Sequence, residues 1–138
     1  MRQVAMGIAV DWRVKRVLMS LRHLDVLRPN MWEYPGGKVE VHRGETPKQA
    51  AEREGLEELG IRTLVVGDEL GRTHIPFEDG GAICIAFHVT LIGNPKPLAS
   101  QRLDWVDPEQ AIRYLPCVPS TYMFFPHVMK LISDGASP

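Results

Sequence analysis

Residues 36–61 read GGKVEVHRGETPKQAAEREGLEELGI, and this stretch organises the rest of the chain. Thr46 is placed to cap a helix, Pro47 suits its first position, and Gln49 completes a Thr-x-x-Gln capping box. Gly60 suits the left-handed residue that closes a last turn. These signals predict a helix over 47–59. Glu54 and Glu58 are four residues apart and Glu54 and Glu57 three apart, so three carboxylates project to one side. They stand in the C-terminal half, where mutual repulsion and the helix dipole both oppose them.

A helix with that conflict either disperses it in solvent or offsets it with cations. The solvated face is the commoner case, and Arg53, four residues before Glu57, can salt-bridge part of it. Three features favour bound cations: the caps at both ends, the Pro35-Gly36-Gly37 loop whose bare backbone can approach a ligand, and the flanking acids Glu40 and Glu45. Clustered carboxylates without His or Cys suit Mg²⁺ or Mn²⁺ rather than Zn²⁺. Mg²⁺ is held by a few carboxylates together with the phosphates of its substrate. The stretch therefore points to a magnesium site for a phosphorylated compound.

Outward from this helix, residues 3–10 and 16–21 suit buried strands, and 103–106 a short one. Residues 82–91 alternate: Ile83, Ile85, Phe87, Val89 and Leu91 share one face, and Ala82, Cys84, Ala86, His88 and Thr90 the other. The second face is small rather than polar, as in a central strand covered on both sides. Asp107-Pro108 starts a short helix ending near Leu115, and a last helix is expected over 120–132, kinked or split at Pro126. Gly and Pro cluster at Pro35-Gly36-Gly37, Asp79-Gly80-Gly81 and 93–97, which read as loops. This order of elements suggests an α+β sandwich.

The length of 138 residues corresponds to a single domain, 1–138. With 16 basic and 17 acidic residues the formal net charge is −1. The chain has no global positive field for nucleic acid, so an anionic small ligand needs local cations or a metal. No apolar run reaches the ~18 residues of a membrane span, and two widely spaced cysteines fit a reducing, cytoplasmic setting. Homodimerisation through apolar strands or the last helix is left open.

Residues 36–61 resemble the Nudix box, Gly-x5-Glu-x7-Arg-Glu-U-x-Glu-Glu-x-Gly-U, where U is a bulky aliphatic residue. Glu45, seven intervening residues, Arg53-Glu54, Glu57-Glu58, Gly60 and Ile61 fall in register. The preceding MWEYPGGKVE resembles the strand-to-loop entry of MutT-type members, and weaker similarity runs from Val4 to Val106. Two positions depart from the pattern. Gly37 and Glu45 are separated by seven residues rather than five, and Gly55 stands where the box has an aliphatic residue.

The resemblance implies a Nudix-type mixed β-sheet sandwiched between α-helices. It implies a Mg²⁺-dependent pyrophosphohydrolase (Mn²⁺ being the other candidate ion) acting on a nucleoside diphosphate linked to X. A (deoxy)nucleoside triphosphate comes first among substrates. The alternatives are ADP-ribose, a nucleotide sugar or a dinucleoside polyphosphate, or a non-catalytic nucleotide-binding module. By the same resemblance Glu54, Glu57 and Glu58 bind the metal with the Gly37 carbonyl, Glu45 and Arg53 brace the loop against the helix, and Glu54 orients or deprotonates the attacking water. Gly36, Gly37 and Arg22 are the candidate substrate contacts, Arg22 because its planar fork suits a phosphate or a base.

Other MutT-like members carry a further metal-linked carboxylate before the late strand. Here Ala99 or Ser100 takes that place, with Asp104, Glu78 or water as replacements. Cleaners of oxidised guanine nucleotides use an Asn near the last helix, where this chain has Val118 or Ser120. Pro76 lies fifteen residues after Ile61, a spacing associated with ADP-ribose hydrolases. Trp32, Tyr34, Phe77, Tyr122 and Phe124 are the candidate stacking rings, against a core role for each.

Overall fold

The computed structural model describes residues 1–78 and 80–135, and of Phe77 only the backbone. Asp79 and the Phe77 ring therefore lie outside the described set. In chain order the elements are β1 (Arg2–Asp11), β2 (Arg16–Leu21), β3 (Trp32–Glu33), β4 (Gly36–Lys38), α1 (Pro47–Leu59), β5 (Thr63–Phe77), β6 (Gly80–Ile92), β7 (Arg102–Val106), α2 (Pro108–Tyr114) and α3 (Pro119–Asp134). The sheet runs β3-β2-β1-β6-β5, with β4 also on β1 and β7 also on β2. The central pair, β1 and β6, is parallel from Arg2↔Ala82 to Ala9↔Val89. The other pairs are antiparallel.

Alternation along the strands sorts the side chains into two cores. Ala5, Leu18, Ile85, Phe87 and Val89 pack with Ala50, Ala51 and Leu59 of α1. Met6, Ile8, Ala82, Cys84 and Ala86 pack on the opposite face with Ala111 of α2 and Phe124 and Val128 of α3. The two faces read from 82–91 are thus the two faces of the sheet, and helices cover both. Among the described residues no helix is long and apolar enough to cross a membrane.

The face of α1 that meets the sheet is made of small residues, Ala50, Ala51 and Gly55, closed by Leu59. Small side chains let the helix axis lie close to the strands. A Cβ on Gly55 would stand 2.5 Å from Leu64 Cδ1. The volume of the missing aliphatic residue is thus supplied by Leu64 of β5, so the departure at Gly55 is matched by its neighbour.

The structure departs from the sequence expectations in four places, one being Gly80-Gly81, read as loop but forming the start of β6, paired with Phe77 and Pro76. Pro35-Gly36-Gly37 is not all loop, because Gly36–Lys38 pairs with β1 through Met6↔Gly36, Ala5↔Gly37 and Val4↔Lys38. The 15-residue β5 had no sequence signal. Gly67, Asp68, Gly71 and Pro76 break its alternation, and the register slips between Val66 and Glu69 and again between Glu69 and Gly71, as bulges do. Helix α3 runs unbroken through Pro126 to Asp134 and is not split. Pro126 is on the exposed side, and the missing N–H costs one helical hydrogen bond rather than the helix.

Candidate active site

The cap signals build α1 as read. The Thr46 side chain accepts from the Gln49 amide at 3.1 Å, and Gln49 Oε1 accepts from the Thr46 amide at 2.9 Å. Gly60 closes the helix with φ 61°. Against this helix lies β4, and each of its three residues meets one box side chain. The Gly36 amide donates to the Glu58 carboxylate. Gly37 lies against the Glu54 carboxylate, which a Cβ there would overlap. The Lys38 carbonyl accepts from Arg53 Nη2 at 3.1 Å.

The two glycines are constrained differently. A Cβ on Gly36 would strike backbone, overlapping the Ala5 carbonyl and standing 2.6 Å from Met6 Cα. On Gly37 the three nearest atoms it would meet all belong to the far end of the Glu54 side chain. Gly36→Ala should therefore destabilise the fold by about 2 kcal/mol or more, as strained overpacking does. Gly37→Ala should melt within about 1 kcal/mol of the parent yet displace Glu54, lowering kcat by about tenfold or more. Thermal melts and steady-state rates on both proteins check the contrast. Equal melting temperatures would contradict it.

Arg53 is the hub of the site. Its Nε and Nη2 grip Glu45 Oε2 at 2.7 Å and Oε1 at 3.0 Å. Its Nη1 donates to Glu54 Oε1 at 2.9 Å and lies 3.6 Å from Glu57 Oε2. This fork, with the Glu40 amide donating to Glu45, holds the Glu45 carboxyl down at about 2. The lengthened loop does not disturb it. Val41–Arg43 forms one 3₁₀ turn ended by Gly44 at φ 75°. The Glu40 carbonyl then accepts from the Arg43 amide at 3.0 Å and the Glu45 amide at 3.3 Å. The extra residues close on themselves and return the chain to Glu45.

The three helix carboxylates have distinct environments. Glu54 is tied to Arg53, and the Glu57 side chain is 63% exposed. Glu58 Oε2 is buried with no hydrogen-bond partner. Burial pushes the Glu58 carboxyl up to about 8, and the nearby charges of Glu54, Glu33 and Glu57 push the same way. Among the described residues, no three His, Cys, Asp or Glu side chains are grouped so as to hold a metal ion as they stand. The donor chemistry nevertheless fits a hard divalent ion, which would answer the orphaned Glu58 oxygen and the repulsion among these acids.

Beyond β4 opens a cavity of about 220 Å³. Four cations, Arg2, Arg22, Arg28 and Lys38, line it together with Gly36 and Gly37. Arg22 Nη1 donates to both oxygens of Glu33, at 3.0 and 3.1 Å, and its Nε donates to the Leu27 carbonyl at 2.8 Å. Burial raises the Glu33 carboxyl, and Arg22 partly opposes the rise. Of the candidate rings, Tyr34 lines this cavity. Phe124 is core, Tyr122 is exposed, and Trp32 is buried with the Arg102 guanidinium 5.7 Å from its ring centre. Val118 and Ser120 both reach the cavity wall.

Residues 93–100 fold over the end of α1, where the Lys96 amide donates to the Leu59 carbonyl at 2.7 Å and the Leu98 amide to the Glu58 carbonyl at 3.1 Å. The two acids considered as replacements at Ala99 and Ser100 are engaged elsewhere, Asp104 with Arg102 and Glu78 with Arg28, each at 3.0 Å. Sequence reasoning missed Arg2, Arg28, Glu33 and Lys38 in the cavity. For Glu33 and Lys38 the signal was present, since both stand within MWEYPGGKVE.

A family profile described as the NUDIX domain matches residues 1–127. The CTP pyrophosphohydrolase of Escherichia coli (strain K12) is 33% identical over 116 residues, which is 83% of each chain. The 8-oxo-dGTP diphosphatase of the same organism is 42% identical over 59 residues, 43% of each chain. Among solved structures, the E. coli ORF135 protein superposes with a TM-score of 0.80 at 28% identity, covering 100% of this chain and 95% of that one. A MutT protein from Methanosarcina mazei Go1 gives a TM-score of 0.78 at 22% identity, with 99% and 96% covered.

Proposed function

From the premise that this chain belongs to the Nudix family, we propose that it is a Mg²⁺-dependent pyrophosphohydrolase of (deoxy)nucleoside triphosphates. The observation that carries the reading is adjacency. Gly36 and Gly37 form part of the wall of a cavity lined by four cations, and the same two residues touch Glu58 and Glu54. A polyphosphate there has cations on one side and a carboxylate cluster suited to a divalent ion on the other. Such an ion offsets phosphate charge and activates water. Glu54, Glu57 and Glu58 would hold it with the Gly37 carbonyl, and Mn²⁺ would suit the same donors.

The chain's own groups do the rest. Arg53 fixes Glu54 by its 2.9 Å hydrogen bond, so that this carboxylate stands ready to orient the attacking water and accept its proton. Arg22 and Lys38 meet the phosphate charge. Within the substrate class a pyrimidine triphosphate is favoured. The relative aligned over 83% of the chain is a CTP pyrophosphohydrolase, whereas the 8-oxo-dGTP diphosphatase aligns over 43%.

A nucleotide panel with Mg²⁺, assayed for inorganic phosphate with and without added pyrophosphatase, tests this reading. Phosphate that appears only with pyrophosphatase, and most strongly from CTP or dCTP, is expected. Conversion of ADP-ribose alone to AMP and ribose 5-phosphate, which releases no pyrophosphate and is followed by chromatography, would move the substrate elsewhere. Nucleotide binding without hydrolysis would make the protein a binding module.

A further inference from the structure

The loop joining β2 to β3 holds a residue in an unfavourable backbone state. Arg28 has φ 51°, a left-handed conformation disfavoured for a side chain of its size. Such an outlier is retained when it places a side chain where the fold otherwise could not. Here it carries the Arg28 guanidinium into the cavity wall, with the side chain only 16% exposed. Its Nη1 lies 3.0 Å from Oε1 of Glu78, whose side chain is 57% exposed beyond the end of β5. One loop is thus tied, at a residue of the cavity wall, to Glu78 beyond β5 by an ion pair, half of which is open to water.

We propose that Arg28 is a substrate-binding residue for the terminal phosphates and that Glu78 is its resting counter-ion, displaced when polyphosphate enters. The proposal rests on the polyphosphate reading above. A phosphate oxygen can take the place beside Arg28 that the Glu78 carboxylate holds, 3.0 Å from Nη1, since a guanidinium fork donates to either anion. Entry of a triphosphate then exchanges one anion for another without leaving the guanidinium bare in the wall. A weakly charged ligand cannot make that exchange. Glu78 therefore screens for anion charge: a monophosphate competes poorly with it and a triphosphate well. The pair with Glu78 is partly exposed, so its cost to a ligand is modest.

The test is calorimetric titration of inorganic tripolyphosphate with Mg²⁺ present, on the parent, Glu78→Gln, Arg28→Asn and the double variant. Asn tolerates the left-handed backbone at position 28, so Arg28→Asn should keep the loop, and Arg28→Lys serves if it does not. Glu78→Gln should tighten Kd by about two- to fivefold. Arg28→Asn should weaken it by about tenfold or more. In the double variant the gain from Glu78→Gln should vanish. If Glu78→Gln leaves Kd unchanged, or tightens it equally without Arg28, the latch is wrong and Glu78 acts only as a distant charge. Because the probe needs no turnover, failure of the parent to hydrolyse any nucleotide would overturn the proposed function while the binding series still decides the latch.

Discussion

Glu58→Gln should melt higher than the parent when metal is chelated, and turn over at least about 10²-fold more slowly when metal is supplied. The two effects have one source. Glu58 Oε2 is buried without a partner, and Glu54, Glu33 and Glu57 surround it with like charge. An unmet buried polar atom costs about 1–3 kcal/mol, more if charged. The neutral amide removes the charge and should raise the melting temperature of the metal-free protein by about 3–10 °C. The pH dependence has a definite sign. The folded carboxyl titrates near 8, above the 4.5 of a free glutamate. The unfolded chain therefore releases this proton first, and parental stability falls as pH rises from about 4.5 to 8. The variant lacks that decline, so its advantage should grow across the same window and level off above it. Added Mg²⁺ should stabilise the parent at pH 8 and the variant much less. A variant that melts below the parent throughout, with chelator present, would show that Glu58 is satisfied in the fold and not held in reserve for a cation.

How much of this site could be read beforehand depends on how local its signals are. Helix α1 was legible to the residue because Thr46, Pro47, Gln49 and Gly60 act within their own turns. The covering of both sheet faces followed from the alternation at 82–91, which needs only a period of two. What stayed hidden is what depends on distant partners. Strand β5 is held by β6 across two register slips, and Gly67, Gly71 and Pro76 interrupt the alternation by which a strand is read from sequence. At Gly55 the sequence is equally consistent with tight packing and with a degraded motif, and only the Leu64 side chain beside it distinguishes them. Arg22 was noticed, but its pairing with Glu33, eleven residues away, could not be read from spacing. Arg28 and Glu78 are fifty residues apart in the chain and meet only because the fold brings the β2–β3 loop beside the end of β5.

Arg53→Lys should behave unlike the conservative change it resembles. The guanidinium makes four hydrogen bonds in three directions, two to Glu45, one to Glu54 and one to the Lys38 carbonyl. An ammonium is a single point on a flexible stem and cannot keep a bidentate grip while reaching the others. It can still satisfy one carboxylate. Arg53→Ala leaves Glu45 and Glu54 without their cation and releases β4 from α1, at a cost of about 2 kcal/mol for a pair that solvent partly reaches. Lysine should recover about half of that stability by restoring charge. It should not recover rate, because on the role proposed for Glu54 turnover depends on where that carboxylate is held and not on the charge near it. We therefore expect both variants to lose about tenfold or more in kcat with KM changed less than threefold, while their melting temperatures differ. Acid sensitivity supplies a second readout. Arg53 holds the Glu45 carboxyl near 2, so the stability this pair adds is present above about 4.5 and lost as pH falls toward 2. The gap between the parent and Arg53→Ala should narrow over that window. If Arg53→Lys restores kcat along with stability, charge alone is what the site requires, and the geometric role assigned to Arg53 is mistaken.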